Sequence, residues 1–366
     1  MERLKLSKSR ILNKEAMWQL SRGVHVTRKR LRGVQATRKM FFLVIFISVF
    51  MMFAFHAIFS SLSNFSDSQS YSRACAANTA PSRTPFPQNA TQSFERFPRK
   101  IWIYWKQGGE IEKMKHEEIS RCMLSWKTRN PGWEVILVSD ETLTDYIDVD
   151  QANFAKAIKR KNWASDFARV ALLERYGGVY ADADLYSVLP LDVWLPAYVE
   201  PTGTWYPSLE GRTVTGTDAK RYSATWFMAS FPQAELLSKW KRAMYQEWCT
   251  YGTFRHYHQM HYTFAMLMER DESFRRKWEE TPHIKATLSK QEECCIVALP
   301  HPTPFPRVSI RHNGGYLVEL DNETKEMIDS GAIPMIKGCF RCTKNFPRAR
   351  PNHSVIDYLD SLPVAP

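Results

Sequence analysis

The chain has 366 residues and a formal net charge of +12, with 50 Lys or Arg against 38 Asp or Glu. The basic excess lies at one end, since residues 1–40 carry a net charge of +10 and the remaining 326 residues carry only +2. A basic groove for nucleic acid on the folded part is therefore excluded as the source of the charge.

An apolar run of 19 residues, Phe41 to Phe59, follows the basic tail and contains no formal charge. About 20 apolar residues are enough to cross a bilayer as a helix, and the Lys and Arg residues before the run predict that residues 1–40 are cytoplasmic. A cleaved signal peptide usually has a much shorter basic leader. We therefore predict a single-pass type II signal anchor at residues 41–60, with the rest of the chain in the lumen. The short span suits the thin membranes of the Golgi or endoplasmic reticulum.

All seven cysteines and four Asn-X-Ser/Thr sequons lie after this run, as expected of a luminal chain. An odd number of cysteines leaves at least one thiol free or bonded to another chain. Residues 61–97 are rich in Ser and Pro, and this composition predicts a flexible stem. Cys75 lies in this stem and is the candidate for a disulfide-linked dimer.

Residues 98–366 have the composition of one folded domain. Strand-like segments at 101–105, 135–138 and 179–185 alternate with helix-like segments at 112–128, 141–147 and 164–176. This alternation predicts an α/β domain with a mixed, mostly parallel sheet. Beyond residue 200 the pattern is indistinct.

Two carboxylates, Asp182 and Asp184, stand at the end of the third strand-like segment. If residues 179–184 are extended, both side chains project from one face, at the end of the strand where open parallel sheets bind ligands. Adjacent carboxylates repel, so a cation is expected between them. Mg²⁺ and Mn²⁺ bind one or two carboxylates together with substrate phosphates. The pair therefore predicts a metal site, although a bare Asp-X-Asp is more often a solvated turn.

On the preceding helix-like segment, Asp166 and Arg169 are three residues apart and share a face. Arg169 is expected to contact a sugar hydroxyl or stabilise phosphate charge, and Asp166 to accept hydrogen bonds from sugar hydroxyls. The alternative is a helix-surface ion pair, which would contribute only about 0.3–0.5 kcal/mol.

The stretch from Ser165 to Asp184 resembles the DXD sugar-binding region of family 32-type glycosyltransferases and of the related capsular polysaccharide synthesis proteins. Both have Ser-Asp, an Arg three residues after that Asp, Tyr-Gly-Gly, a hydrophobic-Tyr pair and Asp-X-Asp. Here these are Ser165-Asp166, Arg169, Tyr176-Gly177-Gly178, Val179-Tyr180 and Asp182-Ala183-Asp184. Weaker similarity covers roughly residues 98–300.

The resemblance implies a GT-A-like fold, a nucleotide-sugar donor, a Mn²⁺ or Mg²⁺ ion and transfer that usually retains the anomeric configuration. The acceptor would be a glycan, glycoprotein or glycolipid. The resemblance further implies that Asp184 binds the metal and that Asp182, which also belongs to the predicted metal set, contacts the ribose and the donor sugar. It implies that Asp166 and Arg169 hold the donor sugar and that Trp105 stacks on the nucleobase. Asp182, Asp184 and Arg169 form the predicted catalytic set. The predicted substrate-binding set is Asp166, Trp105, Tyr180, Gly177 and Gly178.

Some roles have alternatives. Trp105 could instead pack in the core, as strand aromatics commonly do, with Trp102 or Tyr104 at the base. A late His often serves such enzymes as a ligand to metal or diphosphate, and His312 and His353 are candidates. An inverting reaction would require a carboxylate base, for which Glu210 and Asp218 are candidates.

Three other functions fit part of the pattern. A catalytically inactive luminal sugar-binding protein would keep the same residues. A DxD phosphatase would have Thr or Val where this chain has Tyr186. A membrane-surface adaptor would act through the basic tail on the cytoplasmic side.

Overall fold

The structure is a computed structural model, and the part of the chain it describes is discontinuous. The described residues are 48–52, 93–148, 161–208, 218–220, 222–251, 256, 258–283, 286–288, 295–297, 315–317, 319–320, 322–331, 333–338, 349 and 352–364. The chain divides into two compact units, Met1–Gln69 and Ser70–Pro366.

In the first unit, residues 48–52 are helical. The rest of the predicted anchor at 41–60 lies outside the described residues, as do the tail at 1–40, Cys75 and the stem up to residue 92. Among the described residues, no helix combines the length and the apolar character that crossing a bilayer requires. The anchor stays a prediction.

The second unit contains two sheets in its described part. The strands are β1 (Lys100–Tyr104), β2 (Glu134–Val138), β3 (Gly178–Ala181), β4 (Leu185–Ser187), β5 (Thr204–Trp205), β6 (Phe227–Ser230), β7 (Ala286–Leu288), β8 (Cys295–Val297) and β9 (Met335–Lys337). The central sheet has the order β2-β1-β3-β6-β5, and the second sheet has the order β4-β9-β8-β7.

The central sheet is mixed. Strand β1 pairs in parallel with β2 and β3, whereas β6 is antiparallel to β3 and β5 is antiparallel to β6. Four of these five strands therefore run in the same direction, which confirms the predicted mixed, mostly parallel sheet. The second sheet is antiparallel throughout and was not predicted.

Helices cover both faces of the central sheet. They are α1 (Glu117–Arg129), α2 (Leu143–Tyr146), α3 (Lys161–Tyr176), α4 (Leu191–Trp194), α5 (Pro196–Val199), α6 (Glu235–Tyr251), α7 (Gln259–Arg270), α8 (Glu272–Glu279), α9 (Asn322–Asp329) and α10 (Val355–Ser361). Because side chains alternate along a strand, Trp102 and Tyr104 of β1 pack with α3, α6, α7 and α8. Ile101 and Ile103 face the other way, toward α1, α4 and α5.

The double glycine at the end of α3 is required by close backbone packing. Gly177 has φ +66° and caps the helix, with its N–H donating to Leu173 O at 2.8 Å. A Cβ on Gly177 would lie 2.8 Å from Ser230 O, and one on Gly178 would lie 2.5 Å from Lys100 O. The glycine pair therefore allows β3 to fit between β1 and β6, and its predicted substrate-binding role stays a prediction.

Two predicted elements differ from the structure. The helix-like segment 112–128 is a 3₁₀ turn at Ile111–Lys113 followed by α1, because Met114 and His116 are extended. The predicted strand 179–185 is interrupted after Ala181.

The interruption is a tight turn that contains both carboxylates. Leu185 N donates to Asp182 O at 3.0 Å, which closes a four-residue turn. Asp182 N donates to Trp226 O at 2.8 Å, and the chain then enters β4 in the second sheet. The prediction of a continuous strand that presents Asp182 and Asp184 on one face is therefore wrong.

Candidate functional site

The turn at residues 182–184, here called the carboxylate turn, lies at the end of β3, next to the end of β1. Its two carboxylates share one cation, the ammonium of Lys337. Lys337 Nζ donates to Asp182 Oδ2 at 2.8 Å and also to Asp184 Oδ1. The side chains of Lys337, Asp182 and Asp184 are only 13%, 25% and 15% exposed. The expectation of a cation between the carboxylates is confirmed, and this cation is a side chain.

The backbone fixes Lys337 in this position. Strand β9 pairs with β4 in a register that places Lys337 opposite Leu185, and Gly338 N donates to Asp184 O at 3.1 Å. The Tyr316 hydroxyl lies 2.9 Å from Asp184 O and 2.5 Å from Ile336 O. The main chains that carry the acid and the lysine are thus joined to each other.

A second cation, Arg169, connects helix α3 to the carboxylate turn. Its Nη2 lies 3.2 Å from Asp166 Oδ1 and 3.4 Å from Asp182 Oδ1. Its Nη1 donates to Thr225 O at 2.5 Å, and its guanidinium lies 4.7 Å from the centre of the Tyr180 ring. Arg169 therefore holds Asp166, Tyr180 and Asp182 in one arrangement.

Burial and neighbouring charges shift the pKa values of the acids in this cluster in different directions. Burial, opposed by Arg169, raises the pKa of Asp166 to about 6. Burial also raises the pKa of Asp184 in spite of Lys337. For Asp182, burial is outweighed by Lys337 and Arg169, so its pKa lies below the usual range. Burial opposes the charge of Lys337, but the carboxylates outweigh burial and raise its pKa, so the ammonium keeps its proton.

The predicted metal fits this arrangement in one respect. Asp182 and Asp184 already converge on a single cation, the ammonium of Lys337, which occupies the position that a metal would take. Among the described residues, no group of three or more His, Cys, Asp or Glu side chains could hold a metal. Two carboxylates are what Mg²⁺ takes from a protein when substrate phosphates supply further ligands. The residues present therefore fit a metal that binds together with a diphosphate.

The three aromatic residues around the end of β1 have different surroundings. Trp102 is fully buried, and its Nε1 donates to Gly177 O at 2.9 Å. Tyr104 is 7% exposed, and its hydroxyl donates to Asp140. Trp105 is only partly buried, and its backbone N–H donates to Val138 O. Trp105 thus has the most open surface of the three, at the same edge of the sheet as the carboxylate turn.

Sequence reasoning missed Lys337 and the Thr225 carbonyl. It looked for a late histidine, but His353 is exposed just before α10, and His312 and Glu210 lie outside the described residues. Asp218 is exposed. The charge argument that required a cation between the carboxylates applies to a lysine as well as to a metal. The short apolar segment before Lys337 was the only local signal for the strand that carries it.

A free thiol accounts for the odd number of cysteines. Cys122 is a free thiol, fully buried on α1, and burial raises its pKa. Cys249 takes part in a disulfide. With Cys122 free, an even number of cysteines remains, and the dimer through Cys75 stays a prediction.

Comparison with known proteins gives a family match over more than half of the chain. Residues 59–289 match the family described as capsular polysaccharide synthesis protein. The initiation-specific alpha-1,6-mannosyltransferase of Candida albicans is 30% identical over 105 residues, which cover 27% of each chain. The inositol phosphoceramide mannosyltransferase 1 of Schizosaccharomyces pombe is 26% identical over 147 residues, which cover 39% of this chain and 41% of that one. The chain thus spans less than half the length of these relatives.

Among solved structures, the PaToxG glycosyltransferase has a TM-score of 0.34 and 11% sequence identity, over 60% of this chain and 82% of that chain. A likeness at this level carries no argument about the fold.

Proposed function

Because this chain belongs to the capsular polysaccharide synthesis protein family, we propose that its folded domain is a glycosyltransferase. It moves a sugar from a nucleotide-sugar donor to a glycan, glycoprotein or glycolipid acceptor. The observation that carries the proposal is the convergence of Asp182 and Asp184 on one cation, beside the pair Asp166 and Arg169. Family membership alone would not locate the chemistry.

In this proposal the carboxylate turn acts as the DXD motif of a family 32-type enzyme with a GT-A-like fold. Asp182 and Asp184 would hold a Mn²⁺ or Mg²⁺ ion, which supplies positive charge for the oxygens of a departing diphosphate. Asp182 also forms an ion pair with Arg169, which keeps the carboxylate oriented.

The remaining roles concern the donor. Asp166, held by Arg169, accepts hydrogen bonds from hydroxyls of the donor sugar. The Tyr180 ring packs against the Arg169 guanidinium. Trp105 stacks on the nucleobase. For transfer with retention of configuration, the leaving phosphate takes the proton of the acceptor hydroxyl, so no dedicated carboxylate base is needed.

The sugar and the compartment belong to the same proposal. Mannose is the first sugar to test, since both curated relatives named above are mannosyltransferases. The basic tail and the apolar run support a type II protein of the Golgi or endoplasmic reticulum with a luminal catalytic domain, and the disulfide at Cys249 agrees with an oxidising lumen.

The proposal is tested by presenting the purified full-length chain with a panel of nucleotide sugars, GDP-mannose among them, in Mn²⁺ and then in EDTA. We expect one donor to release nucleoside diphosphate in Mn²⁺ and to lose that release in EDTA. Donor binding without turnover would favour the inactive sugar-binding protein. Release of phosphate from simple monoesters without any nucleotide requirement would favour the phosphatase.

A further inference from the structure

Lys337 lies where the predicted divalent cation would have to bind. Its ammonium donates to one oxygen of Asp182 and one oxygen of Asp184, and all three side chains are largely buried. A metal bridging the same two carboxylates would therefore meet a positive charge already in contact with both of them. At such separations in a protein, like charges repel each other strongly.

The backbone at Lys337 cannot easily shift to carry the ammonium away from the carboxylates. Its strand is paired with β4, and the next residue, Gly338, donates its N–H to Asp184 O. A Cβ on Gly338 would lie 2.1 Å from the Tyr316 ring, so the main chain is tightly packed at this point. Only the flexible four-carbon stem of the lysine can move the ammonium away from the carboxylates.

We propose that Lys337 is a tethered cation that competes with the divalent metal for Asp182 and Asp184. The inference rests on the proposed function, because it assumes that these two acids are the metal ligands. It makes Lys337 a residue that sets metal affinity. In the wild-type chain, the metal binds only by displacing the ammonium from two hydrogen-bonded carboxylates.

The test measures the Mn²⁺ dissociation constant of the purified full-length chain without nucleotide, from the free Mn²⁺ signal in electron paramagnetic resonance. Lys337→Met removes the competing charge and keeps a stem of similar length. We expect Lys337→Met to bind Mn²⁺ at least ~10-fold more tightly than the wild type. Lys337→Arg keeps a cation in place, and we expect its Mn²⁺ affinity to stay near that of the wild type.

A second lysine provides a matched control. Lys239 Nζ also lies between two acids, 3.0 Å from Glu235 Oε1 and 2.9 Å from Asp271 Oδ1, with a side chain that is 19% exposed. Lys239→Met should leave the Mn²⁺ affinity unchanged. An equal gain in Lys239→Met would mean that any freed acid pair collects Mn²⁺, which would overturn a specific role for Lys337.

Folding of Lys337→Met is followed in the same samples by the melting temperature. Removing the lysine leaves Asp184 without its ion pair and Asp182 with Arg169 alone, so the variant should melt lower than the wild type without metal. A ligand that binds the folded state stabilises it, so Mn²⁺ should raise this melting temperature more than it raises that of the wild type. This readout remains usable if the variant is only marginally folded.

The proposal is overturned if Lys337→Met and the wild type bind Mn²⁺ equally, or if Mn²⁺ does not restore the melting temperature of the variant. These outcomes are distinct from failure of the transferase, since neither readout needs turnover. A chain that hydrolyses a donor but shows no gain in Lys337→Met rejects only the competition. A chain with the gain but without donor turnover rejects only the transferase.

Discussion

At the scale of single residues, the site is a group of three acids and two bases whose charges do not fully cancel. Asp166, Asp182 and Asp184 face Arg169 and Lys337, so the group keeps one negative charge when all five are ionised. Buried charges are costly unless they are paired. The arrangement is therefore suited to receiving a cation or a substrate that brings one.

Asp166 gives a pH-dependent prediction for stability. Its pKa in the folded state is about 6, above the ordinary value of 3.8 for an aspartate, so the folded chain binds its proton more tightly than the unfolded chain. The contribution of Asp166 to stability is then lost as pH rises from about 4 to 6. Asp166→Asn removes this loss. The free energy of unfolding of the variant minus that of the wild type should therefore be about 1–3 kcal/mol greater at pH 7.5 than at pH 4.5.

Denaturant unfolding of both proteins at the two pH values measures this difference. An Asp166→Asn effect that is the same at pH 4.5 and pH 7.5 would show that Asp166 ionises as readily in the folded chain as in the unfolded one.

Trp105 gives a prediction for nucleotide binding. Trp105 is partly buried at the end of β1, and its ring is proposed to stack on the base, which typically contributes about 1–3 kcal/mol. Trp105→Ala should therefore weaken binding of the matching nucleoside diphosphate by about tenfold in calorimetry. The control is Trp133→Ala, which removes a mostly buried tryptophan from the core cluster that also contains Phe97. If Trp105→Ala leaves the dissociation constant unchanged, Trp105 is a packing residue.

At the scale of elements, some parts of the site are set by local sequence signals and others by contacts between residues that are far apart in the chain. The end of α3 and the double glycine could be predicted because helix periodicity and a left-handed cap are local. The carboxylate turn could not, because its geometry depends on Trp226 O and on pairing with β9. Lys337 lies 155 residues from Asp182, on a strand of three residues whose only local signal is a short apolar segment. Pairwise contacts of this range leave no trace in the local sequence.

Gly178 gives a prediction at this scale. Gly178→Ala places a Cβ 2.5 Å from Lys100 O and imposes φ +92° on an alanine, so it should lower the free energy of unfolding by about 2–3 kcal/mol. Gly132 is the matched control, since it has φ +88° but no atom within 4 Å of the added Cβ. Gly132→Ala should cost only the backbone strain, about 1 kcal/mol. Equal losses in denaturant unfolding would show that β1 and β3 can separate at no cost.

At the scale of the whole molecule, the sequence predicted an α/β domain with a mostly parallel sheet, and the described residues have that sheet. The alternation of strands and helices before residue 200 was sufficient for this because each element buries one face against its neighbours. The antiparallel second sheet could not be predicted, since its strands are three residues long and three of the four lie beyond residue 200, where the sequence pattern is indistinct. That sheet nevertheless supplies the lysine of the site.

The proposed transferase activity is tested most directly by turnover of the wild-type chain and of Asp184→Asn with the donor that the panel identifies. The measurement is release of nucleoside diphosphate in Mn²⁺, with the melting temperature as the check on folding. The control is Asp329→Asn, an exposed acid paired with Lys325. We predict that Asp184→Asn lowers the rate by ~100-fold or more while remaining folded, and that Asp329→Asn keeps the wild-type rate. A folded Asp184→Asn variant with undiminished turnover would contradict the proposal that the carboxylate turn carries the chemistry.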